Sequence, residues 1–121
     1  MAPPDRPRHP FIRALLDHFP ELRDDLDQSD GFGLLHVEMT RFAKRSLEAF
    51  RAGDLDTVRR HFAFVEGGFD DAGDLALINA LHVSYVEEFA WGFEEDRAAR
   101  ALMPPRLTDA FDQMVIAWRN L

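Results

Sequence analysis

Three histidines, His36, His61 and His82, offer the widest choice of chemistry in this chain. Imidazole can ligate a metal or move a proton near neutral pH. A metal site on one helix needs its ligands three or four positions apart. Those positions hold Met39 and Thr40 after His36, Phe64 and Val65 after His61, and Tyr85 and Val86 after His82. His18 and Glu21 have the separation, but Pro20 interrupts them. A metal would therefore require one histidine from each of three helices to converge, as in a small helical metal-dependent hydrolase. The plainer expectation is that each histidine is satisfied inside the fold or solvated, with no metal and no cofactor. Ser84 stands two residues from His82, and residues so spaced on a helix point to different sides. Neither Gly31-Phe32-Gly33 nor Gly67-Gly68 has the glycine content of a phosphate loop. No catalytic residues are assigned, and the chain is expected not to be an enzyme.

Carboxylates are the second resource. The formal net charge is −8. Most of the acid falls in residues 20–32, 54–74 and 75–103, whereas residues 1–19 and 33–53 are slightly basic. Such a surface disfavours nucleic-acid backbones and favours a basic protein partner, whose approach it would accelerate. Two stretches are candidates for that contact: Glu66, Asp70 and Asp71 in one loop, and Glu87, Glu88, Glu94 and Glu95 further on. As general acids they are poor candidates, because that role needs a carboxyl raised by burial and these runs are hydrophilic. Glu87 differs, since it follows Asn79 and Val83 at helical spacing and is expected to be partly covered.

The stretch LINALHVSYVEEF, residues 77–89, must position several of these groups. It reads as a central helix, apolar on most sides. Ile78, Tyr85 and Phe89 share a face close to His82, while Asn79, Val83, Val86 and Glu87 share a flank. Buried, Asn79 and His82 would need hydrogen-bond partners and would serve packing. On a half-covered flank, with Glu87 and Glu88, they would line a docking groove. Both alternatives stand at this level.

The remaining helices follow from periodicity and punctuation. Pro10 suits a first turn, and Phe11, Leu15 and Phe19 follow at four-residue spacing. Leu22 and Leu26 mark a short acidic helix, and Ser29-Asp30-Gly31 a turn. Leu35, Met39, Phe42, Leu47 and Phe50 define a long helix stopped at Gly53. Asp54 caps the next, with Leu55, Val58, Phe62, Val65 and Phe69 as its stripe. Asp74 caps the central helix. A short helix spans Phe93–Leu102, and a last one carries Leu107, Phe111, Val115 and Trp118. No strand pattern occurs. The expected fold is all-α, a compact single-domain bundle of five or six helices with mostly antiparallel neighbours. Residues 1–9 read as a flexible basic arm and 10–121 as one helical domain.

The absence of cysteine removes disulfide and thiol chemistry. Without a signal-peptide pattern or an apolar run of membrane-spanning length, the expected location is cytoplasmic, with no membrane contact.

From Arg59 to Glu87 the chain shows a helix ending His-Phe-x-Phe-x-Glu, an acidic loop, then Asn-Ala-Leu-x-Val-Ser-x-x-Glu, carried here by Asn79, Ala80, Leu81, Val83, Ser84 and Glu87. This resembles a family of small, functionally uncharacterised, all-helical bacterial proteins. The resemblance implies the helical fold and, through members encoded beside polymorphic toxins, an immunity role; it carries over no catalytic residues. The expected function is a non-catalytic protein-binding module, most specifically an immunity protein that neutralises a basic toxin domain through Glu66, Asp70, Asp71, Asn79, His82, Glu87, Glu88, Glu94 and Glu95. The alternatives are the hydrolase built on His36, His61 and His82, and a homo-oligomeric structural module presenting Phe32 and Phe64 as exposed rings. Oligomeric state is not encoded in any readable pattern.

Overall fold

A computed structural model describes residues 7–27, 31–92 and 94–119, apart from the Trp118 side chain. Most of the expected basic arm, Ser29 and Asp30 of the expected turn, Phe93 and the Trp118 seam position lie outside the described residues. Among those described, every regular element is helical. There are seven α-helices rather than five or six. The expected central helix counts twice, because a π-helical turn divides it into two α-helical pieces.

Helix α1, Pro10–His18, begins where His9 accepts the Phe11 amide through Nδ1 at 3.0 Å. It buries Phe11, Ile12, Leu15 and Leu16. Pro20 cannot continue the helix and instead starts a 3-10 turn, Pro20–Leu22, that leads into α2, Arg23–Asp27. Leu22 and Leu26 are buried on one side, as their spacing requires.

Helix α3, Leu35–Arg51, stops at Gly53, whose φ of 78° belongs to the left-handed region that glycine enters without strain. Helix α4, Leu55–Gly68, starts at Asp54, which accepts the Thr57 amide. A Cβ at Gly68 would lie 2.9 Å from Phe11 and 3.0 Å from Leu81, so glycine is what lets α4 close on both neighbours.

The central rod runs from Leu75 to Ala90. Asp74 accepts the Leu77 amide at its start. Helices α5, Leu75–Ala80, and α6, Glu87–Ala90, are joined by a six-residue π-helical turn, Leu81–Val86. The wider turn directs three consecutive residues, Ser84, Tyr85 and Val86, into the interior. The rod packs chiefly on α3 and on the last helix. Phe42, Phe62, Tyr85 and Phe89 meet around it with centroids 5.0–6.5 Å apart, the range of favourable offset and edge contacts.

A bend at Trp91-Gly92 precedes a nine-residue 3-10 helix, Glu94–Leu102, in place of the expected short α-helix. Such length is uncommon for 3-10 geometry. Helix α7, Pro105–Arg119, buries Leu107, Ala110 and Phe111. Among the described residues, no helix is long and apolar enough to cross a membrane.

Two residues of the expected arm, Arg8 and His9, are held in place. Arg8 lies 2.6 Å from Asp27 and 2.8 Å from the fully buried Glu38, with its guanidinium 3.8 Å over the Phe32 ring. Phe32 is thus covered by a cation and only half exposed, not an open ring. Phe64 is likewise half-buried, packed on Phe11, His18 and Phe19.

Candidate functional site

The three histidines go to three different places. His61, on α4, is buried against Phe19 and Phe42. Its Nδ1 lies 2.8 Å from Ser46 Oγ, and that hydroxyl accepts a bond from Tyr85 Oη at 2.7 Å. Nε2 of His61 is buried without a hydrogen-bond partner among the described residues. Burial, the largest influence, lowers its pKa to about 4, so the ring is neutral at pH 7. His36 is exposed on α3, with Nδ1 2.7 Å from Ser84 Oγ. His82 is half-buried edge-on to Phe69, its pKa lowered by burial. Among the described residues, no three His, Asp or Glu side chains are placed to hold a metal.

The His36–Ser84 contact has the reach of a base and a nucleophile. It joins α3 to the rod across 48 residues, which the local spacing of Ser84 and His82 could not reveal. Ser84 is nearly buried inside a helical turn, where backbone amides are engaged by the helix itself. The geometry suits a bond that clips two helices together.

The acidic residues separate into two groups. Glu66 accepts the amides of Arg106 and Leu107, at 3.1 and 2.9 Å, and so caps α7 from a distance of some 40 residues in sequence. Asp70 pairs with the Arg106 side chain. Glu66 and Asp70 are thus occupied in holding α7 to the end of α4. Asp71 stays exposed.

At the far end of the rod the arrangement differs. Glu87, Glu88, Glu94 and Glu95 make no ion pair among the described residues. Glu87 and Glu88 share a cleft of ≈ 310 Å³ with Lys44, Leu47, Arg51 and Trp91. Trp91 is half exposed, at 50%. Glu94 and Glu95 follow it at once beyond the bend, both exposed. Burial and then the Glu88 charge raise the Glu87 pKa. Asp96 is different again: it is buried and receives two bonds from Arg51, at 3.0 and 2.7 Å. Gly92 makes that possible, because a Cβ there would lie 2.6 Å from the Asp96 carboxylate.

Asn79 and Val83 are exposed on the rod, and Glu87 is partly covered as its spacing suggests. Val86, expected on the same flank, is fully buried; the π-turn rotates it inward. Trp91 is the residue that periodicity missed. A tryptophan immediately before glycine at a helix end, between two glutamate pairs, was the available signal.

These features define a class: an all-helical domain with a polar-stapled core and, at one end of its central rod, a cleft lined by Glu48, Glu87 and Glu88 together with Lys44, Arg51 and Trp91. Residues 12–119 match the family described as "Domain of unknown function (DUF7674)", and the chain belongs to that family. No curated protein and no solved structure matches it.

Proposed function

We propose that this domain is a non-catalytic protein-binding module that takes a basic partner at Trp91, and most specifically an immunity protein that occludes a toxin domain. One observation carries the reading: Glu87, Glu88, Glu94 and Glu95 bracket a half-exposed tryptophan and none is used in an ion pair among the described residues. Tryptophan is a frequent anchor of binding energy, and surrounding charge of one sign steers an oppositely charged partner. The net charge of −8 reinforces that steering. The resemblance carried by Asn79, Ala80, Leu81, Val83, Ser84 and Glu87 supplies the immunity component. Within that motif Ala80, Leu81 and Ser84 serve the core, while Asn79, Val83 and Glu87 remain available to a partner.

The test is affinity capture from the source cell at low and high salt, comparing the native chain with a Trp91→Ala variant and with Glu87, Glu88, Glu94 and Glu95 all changed to Lys. A dominant partner bearing a toxin-like domain, retained at low salt and lost in both variants, is the expected result. A partner retained equally by all three proteins rejects this surface. Protection of cells expressing that toxin then tests the immunity role itself.

A further inference from the structure

A groove of ≈ 800 Å³ lies between α1 and α4, on elements that the Trp91 reading does not use. The sequence of α4 builds its floor. Arg60, Ala63, Phe64 and Gly67 recur at three- and four-residue spacing and share one face of α4, and Asp71, beyond the helix end, lines the same groove. Phe11 and Phe19 supply the facing wall, with ring centroids 5.0 and 5.8 Å from that of Phe64. Ala63 and Gly67 are exposed, and a Cβ on Gly67 would meet nothing within 4 Å. The groove is therefore open along a floor of small residues, where another backbone can come close.

Its two ends carry opposite charges. Arg60 has a side chain 56% exposed; its contacts to Asp56 at 3.6 Å and Thr57 at 3.3 Å are local and solvated. Asp71 is exposed and makes no ion pair among the described residues. At 1.5 Å per residue, the helical floor from Arg60 to Gly68 runs about 12 Å, a little over two helical turns, before the chain leaves α4 towards Asp71. A small molecule would favour a recess that encloses it. An open, apolar channel of this length with a cation at one end and an anion at the other matches a helix.

We infer that this groove docks one amphipathic helix of a partner protein, its apolar ridge lying over Ala63 and Gly67 between the phenyl rings, with an acidic side chain at Arg60 and a basic one at Asp71.

The experiment uses two fluorescent, hydrocarbon-stapled helices of about 12 residues with the same Leu/Ala ridge. One carries Glu at one end and Lys at the other; the second carries Lys at both. Anisotropy titrations against the full chain should show binding of the mixed helix. Arg60→Glu should lower the ratio of mixed to dibasic affinity roughly tenfold, a comparison that cancels the overall negative charge. Gly67→Leu, and separately Ala63→Phe at its exposed position, should weaken both helices about tenfold or more without lowering the melting temperature. Trp91→Ala should change neither, which separates failure here from failure at the acidic cleft. The proposal is overturned if the ratio ignores Arg60→Glu or if filling the floor has no effect. It is also overturned if anilinonaphthalene sulfonate binds the groove and neither helix displaces it, which would mark a small-molecule site. A dimer in sedimentation that Gly67→Leu abolishes would assign the groove to a second copy instead.

Discussion

The segments 66–71, at the end of α4, and 87–95, at the end of the rod, look alike in sequence, each a short acidic run beside glycine and an aromatic residue. In the folded chain they do opposite things. Glu66 and Asp70 are consumed by α7, one on its first amides and one on Arg106. Glu87, Glu88, Glu94 and Glu95, on either side of Trp91 in the chain, make no ion pair among the described residues. A carboxylate's role is set by which donors the fold brings to it. The basic residue that pairs with Asp70 comes from 36 positions away, whereas Lys44 and Arg51 line the same cleft as Glu87 and Glu88, and Arg51 gives its guanidinium to Asp96.

This contrast between committed and open carboxylates can be broken or sharpened by measurement. The largest effect is expected at the most committed one. Glu38 is fully buried with Arg8 as its cation. Arg8→Ala should cost roughly 3 kcal/mol in urea unfolding, because the buried carboxylate is left without its partner. A loss below about 0.5 kcal/mol, the range of exposed pairs, would place Glu38 with the open group.

Acid should act on the core histidine next. The His61 pKa is lowered to about 4 in the folded chain, against an ordinary value of 6.5. The unfolded chain therefore binds more protons between those values, and stability falls as pH drops from 6.5 towards 4. The full contribution is roughly 3 kcal/mol. Unfolding midpoints measured across that window should show the decline, and His61→Gln should remove most of it. Glu87 should push the other way, since its raised pKa makes protonation favour the folded state as pH falls.

Glu66→Ala should cost about 1–2 kcal/mol, the usual loss for a helix cap, while leaving partner binding at Trp91 intact. Smallest in stability should be Glu87, Glu88, Glu94 and Glu95 changed together to Gln, within about 0.5 kcal/mol of the native chain by thermal or urea unfolding. The same variant should lose the captured partner. Equal stability losses for the two sets of carboxylates would erase the distinction on which the comparison rests.

Much of the architecture was legible from residue spacing. The stripes Phe11–Leu15, Met39–Phe42 and Val58–Phe62–Val65 are buried, and Gly53, Asp54 and Asp74 punctuate the helices as their chemistry requires. Helix number was less legible. A regular α-period assigns Val86 to the flank of Asn79, and the π-turn moves it into the core. The 3-10 geometry of Glu94–Leu102 was equally hidden, since its composition suits an α-helix. All the acidic candidates could be named from their charges, but not which of them the fold ties to other helices. Trp91 was passed over because a lone aromatic residue at a helix end has no periodic partners.

The sequence by itself determined an all-helical chain, its caps and stops, its acidity, and the lack of local spacing for metal or nucleophile chemistry. These are properties of neighbours within a turn or two, where backbone geometry and side-chain type suffice. Tertiary structure alone decided that His61, Ser46 and Tyr85 join in one buried network. It also decided that His36 meets Ser84, that Glu66 caps a distant helix, and that Arg60 and Asp71 face one groove. Each depends on packing between elements far apart in the chain, and hydrogen bonds and ion pairs become specific only when that packing fixes their geometry.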